Sequence, residues 1–337
     1  MRVGVVIPNC MEGLIFPYPF ADQNTMIQMA VAAEDMGFDS LSMNDHFTTQ
    51  HYVARMWPAP PRYYEPLMMY SYIAAVTKRV QLETGILVLP MRDPIVLAKQ
   101  VSTLDVLSGG RVLLGLGLGA YREEFEAANA GPNPPPRKAL LEERMQALRE
   151  LLTKPKASFE GRYVHFKDIE MYPRPIQNPV PMYSGGNSRA GLERAARFCD
   201  GWLPAILTST EVREMIAQIE GHAAKIGRDL TGFDFAVQQG ISIARTQAEA
   251  RERFLSSQLW EHLKSLKGST LKEQRIEDIE AHSFIGTPED VLSRIREYRA
   301  AGATSLPGLI FAVNTPKDAL ESMELFATTV LPEVKKL

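Results

Sequence analysis

The chain has 337 residues, 45% of them apolar and 23% charged, with a formal net charge of −3. That balance is globular and excludes disorder, collagen and coiled coil, and the charge argues against nucleic acid or an anionic membrane as the main partner. No run approaches the ~18 apolar residues of a membrane span, and two cysteines, Cys10 and Cys199, cannot form a disulfide framework and read as reduced thiols.

Met1 leads straight into a strand-like run, Val3–Ile7, with no basic and apolar leader before it, so a cytoplasmic location is expected. A helix follows at about Thr25–Met36 and stops at Gly37. The second strand is Ser40–Met43. A helix at about Pro66–Thr77 leads to the third strand, Val80–Leu87. Asp93-Pro94 reads as an N-cap with a first-turn proline. The helix it starts is expected to bury Val96, Val101 and Leu104 and to end at Ser108-Gly109-Gly110. The fourth strand is Arg111–Leu116. A proline-rich stretch, residues 131–136, breaks the rhythm, and a helix at about Lys138–Leu152 resumes it. Residues 156–180 read as a hairpin insertion turning at Glu160-Gly161. The fifth strand is Pro181–Ser184, followed by a helix at about Arg189–Cys199 with Leu192, Ala195, Ala196 and Cys199 on one face. The sixth strand, Gly201–Pro204, precedes a helix near Glu211–Ile226. The seventh, Phe233–Ile243, precedes a helical region to about Lys267. Thr287-Pro288 caps a helix with Val291, Leu292, Ile295 and Tyr298 inward. The eighth strand is Thr304–Phe311, and a last helix covers Lys317–Lys335.

Strand and helix alternating eight times predict the α/β class: one (β/α)8 barrel of TIM type spanning residues 1–337, with insertions in its loops. In such barrels chemistry sits at the C-terminal ends of the strands. Three segments there stand out. Gly115-x-Gly117-x-Gly119-Ala120 fits a dinucleotide fingerprint in spacing, but no acidic residue ends a strand ~20 residues on. The glycines either let the backbone approach a ligand or make a tight turn. Ser184-Gly185-Gly186-Asn187-Ser188-Arg189 lies between a strand and a helix. Its amides, the Ser188 hydroxyl and the Arg189 charge fit an anion site, and the plain alternative is a capped turn. Asn44-Asp45-His46-Phe47 ends the second strand and could do acid–base work, bond a ring cofactor, or bind metal. No His-x-His or His-Glu-x-x-His pattern supports metal, and no Gly-x-Ser-x-Gly supports a serine hydrolase. The loops after the first two strands carry Phe16 and Tyr18, then Trp57 and Tyr63. They predict an apolar substrate pocket or lid, with an oligomer interface as the competing reading.

These segments in this order resemble the bacterial-luciferase-like family of flavin- or deazaflavin-dependent oxidoreductases. The resemblance is carried by Asn44–Thr48, Leu82–Ile86, Leu89–Pro94 with Leu97–Gln100, Thr103–Arg111, Gly115–Gly119, Ser184–Ser188, Ala195–Pro204 and Gly286–Val291. It implies a ring cofactor contacting Asp45 and Thr84-Gly85-Ile86, and a non-proline cis peptide at Gly85-Ile86 or its neighbour. It implies a cofactor phosphate on Gly185, Gly186, Ser188 and Arg189, with Gly117 and Gly119 beside it, and a homodimer. Leu118 stands where bacterial luciferase has a phosphate-binding arginine, and Asp45-His46 where it has a histidine pair, so light emission is not expected.

The expected activity is a monooxygenase using reduced FMN from a partner flavin reductase to oxidise a small, fairly apolar substrate. His46 is the candidate acid–base, and Asp45 bonds the ring or orients His46. The alternative at the same site is hydride transfer with coenzyme F420. A non-catalytic flavin-binding protein and a sugar-phosphate isomerase are the remaining readings. Residues 264–282 are read as a lid from their length and polarity.

Overall fold

A computed structural model describes residues 1–57, 59–129, 134–265 and 276–337, with backbone alone at 276–278. The strands in chain order are β1 (Arg2–Val6), β2 (Ser40–Met43), β3 (Gln81–Val88), β4 (Val112–Gly117), β5 (Ala157–Glu160), β6 (His165–Ile169), β7 (Met182–Gly185), β8 (Gly201–Leu203), β9 (Asp234–Phe235), β10 (Gln239–Ile243), β11 (Ser283–Gly286) and β12 (Ser305–Phe311). Ten form one sheet in the order β11-β10-β12-β1-β2-β3-β4-β7-β8-β9. Its ladders are parallel. The sheet curls until β9 meets β12. Ala236 bridges Ser305, and the Val237 amide donates to the Ser305 carbonyl at 3.0 Å. The strands from β12 round to β9 therefore enclose one axis, the expected barrel. Val3, Val5, Leu41, Leu82 and Leu114 are fully buried, as strands covered on both faces require.

The expected seventh strand is two pieces, β9 and β10. β10 pairs with β12 and with β11, a strand that the sequence reading did not anticipate. The hairpin of β5 and β6 is present, and its turn is the four residues 161–164, closed by the Gly161 amide on the Val164 carbonyl at 2.8 Å. Asp93 caps the helix Pro94–Ser108 by accepting from the amides of Ile95 and Val96 at 2.9 and 3.0 Å, and Gly109 ends it at φ +75°. On that helix Val101 and Leu104 are buried, but Val96 is 56% exposed and does not face the core as expected. Two short helices in the mouth loops, His51–Met56 and Arg122–Ala128, are additional. No helix among the described residues is long and apolar enough to cross a membrane. The proline-rich stretch and the supposed lid fall partly outside the described residues.

Candidate active site

The mouth of the barrel holds two adjoining cavities. One, of about 190 Å³, is walled by Leu14, Ile15, Asn44, Asp45, His46, Gly85, Ile86, Val88, Gly119, Ala120, Tyr121 and His262. The other, of about 260 Å³, is walled by Ile86, Gly117–Ala120, Lys138, Gly185, Gly186, Ser188, Ala190 and Arg194. They share Ile86, Gly119 and Ala120 and so form one trough.

The peptide Gly85–Ile86 is cis, and the ladder between β3 and β4 shifts register between Thr84 and Leu87. Ile86 thereby sits on the floor of both cavities. The neighbouring glycines make room for it. A Cβ on Gly117 would lie 2.7 Å from Ile86 Cδ1, and one on Gly185 2.6 Å from its Cγ2. Gly119 stands in the same way against Val88. Their first role is packing against the floor residues, while Gly186, at φ +104° with nothing within 4 Å of a Cβ, faces open space. Thr84 is buried beside the floor and donates to the Gly115 carbonyl at 2.9 Å.

His46 hangs from the end of β2. Its Nδ1 lies 2.8 Å from Glu124 Oε2 and 3.0 Å from Gln50 Nε2. Glu124 also accepts from the amides of Phe47 and Thr48, and Tyr63 donates to Gln50 at 2.9 Å. Burial pushes the Glu124 carboxyl up, but the hydrogen bond and charge of His46, with bonds from Thr48 and Gln50, outweigh it and hold the carboxyl below the usual range. A carboxylate at Nδ1 fixes the imidazole with its proton there and leaves the Nε2 lone pair as the base. Nε2 has no protein partner among the described residues. The rings of Tyr63 and Tyr121 flank His46, with centroids 5.7 and 5.5 Å away.

Asp45 does not orient His46. Its carboxylate is held by Arg92 through two bonds of 2.7 and 2.9 Å and by the Val88 amide at 2.9 Å. Arg92 is also paired with Glu65 at 2.8 Å. Asp45 thus braces the cavity wall. The partner of His46 is Glu124, which the sequence reading missed.

At the other end Ser188 caps the helix Arg189–Phe198, accepting from the Gly191 amide at 3.3 Å. Trp202 and Asn187 pin the loop through the Gly186 and Ala205 carbonyls at 3.0 and 2.9 Å. Arg189 points away, pairing with Glu193 at 3.1 Å with its side chain 81% exposed. Among the described residues two cations line this end, the exposed Lys138 and the buried Arg194, which is 5% exposed, with Nε unpartnered and Glu142 no nearer than 3.9 Å. Burial lowers the Arg194 pKa. An anion at this end would meet the helix amides, Ser188 and Arg194.

None of the four residues expected to line the substrate pocket is among those walling either cavity. Phe16 stacks on Phe20 at 4.4 Å, Tyr18 meets the edge of Trp57 at 6.3 Å, and Tyr63 serves Gln50. Leu14, Ile15, Tyr121 and His262 reach the wall instead. Among the described residues no group of three His, Cys, Asp or Glu side chains is placed to hold a metal ion.

The family model described as luciferase-like monooxygenase matches residues 1–305. A protein of Nakamurella multipartita named F420-dependent glucose-6-phosphate dehydrogenase is 28% identical over 93% of each chain. Its namesake from Kineococcus radiotolerans is 30% identical over 67% of this chain and 66% of its own. Among solved structures, a monooxygenase from Streptomyces bottropensis superposes with TM-score 0.77 at 21% identity over 99% of both chains. An F420-dependent secondary alcohol dehydrogenase does so with TM-score 0.78 at 20% identity, again over 99% of both.

Proposed function

Because the chain belongs to the luciferase-like monooxygenase family, whose members here are oxidoreductases, we propose that it moves hydride between a small organic alcohol and coenzyme F420, with His46 as the proton acceptor. The carrying observation is the Glu124–His46 pair, which leaves one basic nitrogen at the wall of the cavity. Relatives aligned over nearly the whole chain and named for F420 support the cofactor.

The trough fits such a cofactor. Its apolar floor, Ile86, suits a ring, and the unpartnered Nε of buried Arg194 suits an anionic tail. When bound, coenzyme F420 supplies a carbon that accepts hydride. Ser188, Gly186 and Arg194 would hold the tail, and Gly85-Ile86 would support the ring. The alcohol proton passes to His46 Nε2, and Glu124 stabilises the imidazolium. Leu14, Ile15 and Tyr121 keep water from the reacting atoms.

The FMN monooxygenase reading would use the same floor and the same anion end, and it would require a reductase. Turnover separates the two. Loss of the visible band of oxidised F420 on addition of an alcohol, abolished by His46→Gln and weakened through cofactor affinity by Arg194→Ala, supports hydride transfer. Dioxygen consumption with reduced FMN and no reaction of F420 would overturn it. A homodimer is part of the same proposal. Met68, Tyr72 and Val76 lie four residues apart on the helix Pro66–Val76, 64%, 62% and 43% exposed, and such an uncharged stripe is self-complementary about a two-fold axis. Light scattering that gives the monomer mass would remove it.

A further inference from the structure

We propose that His262 is a substrate-binding residue whose imidazole N–H donates to the alcohol oxygen that loses its proton to His46; this rests on the hydride-transfer reading above. His262 sits on the helix Gln258–Ser265, whose Leu259, Trp260 and Leu263 anchor it in the core. It walls the inner cavity together with His46. It also walls an outer recess of about 450 Å³ formed by Gly13, Tyr52, Met56, Gln258, Glu261 and Lys264. Leu14 and His262 are common to both spaces, so a substrate entering from the recess passes this imidazole to reach the floor. Its ring has no hydrogen-bond partner among the described residues.

Among the described residues the surrounding charges are otherwise engaged. Glu261 and Lys264, on its own helix, pair with each other at 2.6 Å. Asp45 is held by Arg92, and the Tyr121 hydroxyl bonds that of Tyr52 at 3.0 Å. Among the described residues that wall this cavity with His262, His46 is the group that takes the proton. Burial, and then the charge of His46, push the His262 pKa down to about 4. The ring therefore stays neutral and does not compete as a base. With a hydride acceptor bound, the substrate C–H bond would break with its hydrogen and electron pair going to that acceptor, the O–H proton would go to His46 Nε2, and the C=O bond would form. The His262 bond holds the oxygen while charge develops on it.

The test uses the F420-loaded protein with 15N-labelled histidine, its ring signals assigned with His262→Gln, and 2-propanol and glucose 6-phosphate as probes. The expected result is a neutral His262 ring between about pH 5.5 and 8 whose nitrogen signal moves when one probe is added. With that probe His262→Ala should lower kcat/KM about tenfold, His262→Gln should recover part of it, and F420 affinity should not change. A ring signal that neither probe moves, or an alanine variant within about twofold of the parent, overturns the proposal. If the parent does not bind F420, the hydride reading fails by itself. The signal is then read with the same probes on the FMN-loaded protein, where the same absence of a shift overturns the assignment of His262.

Discussion

Glu83 of β3 is fully buried, and neither carboxylate oxygen has a hydrogen-bond partner among the described residues. Burial pushes its pKa up to about 8 from an ordinary 4.5, with Arg2 opposing and Asp234 adding to the rise. Between those two values the folded chain holds a proton that the unfolded chain has released. Stability from this group is therefore complete below the ordinary carboxylate value and is lost as pH rises through about 8, at about 1.4 kcal/mol per pH unit. Across about two units, from pH 5.5 to 7.5, the loss is about 3 kcal/mol. Glu83→Gln keeps the shape and stays neutral at both pH values. Urea unfolding at each pH should show the parent losing about 3 kcal/mol more than the variant over that interval. Parallel pH slopes in the two proteins would refute the buried neutral acid.

Glu124→Gln should lower turnover about 10- to 100-fold with little change in cofactor affinity, because it removes the charge that stabilises protonated His46; steady-state kinetics with F420 titration checks both. Arg92→Leu leaves the buried Asp45 and its neighbour Glu65 without their cation and should cost about 3 to 5 kcal/mol, read by urea unfolding. A Cβ at Gly115 would sit 2.1 Å from the Thr84 carbonyl oxygen, so Gly115→Ala should fail to give soluble protein. Gly221, inside the helix Ser209–Lys225 with open space around it, should instead accept alanine with a gain of up to about 1 kcal/mol in the same unfolding assay.

The barrel was legible because its strands are β-branched runs followed by capped helices. Ser40–Met43 is matched residue for residue, and the other barrel strands begin within a residue or so of their expected starts. β11 escaped because four residues, Ser283–Gly286, carry too little periodicity to separate from their helical surroundings. The helix Arg122–Ala128 was hidden in a loop, although Glu123-Glu124 ahead of Phe125 is the acidic first turn that marks a helix start. Missing it meant missing Glu124. A contact across 78 residues leaves no spacing to read. The exchange of Arg189 for Arg194 has a directional cause. Helical side chains lean toward the N-terminus, so Arg194 reaches back over the first turn while Arg189 meets Glu193 one turn along at the surface. The inward placement of an arginine between Leu192 and Ala195 was the available signal.

The most direct test of the central claim is anaerobic fluorescence titration of the purified protein with reduced coenzyme F420 and, separately, reduced FMN. Hydride transfer at the Glu124–His46 site predicts tighter binding of the deazaflavin, weakened by Arg194→Ala at the anion end of the trough. Tighter binding of FMN would contradict it and return the site to oxygen chemistry.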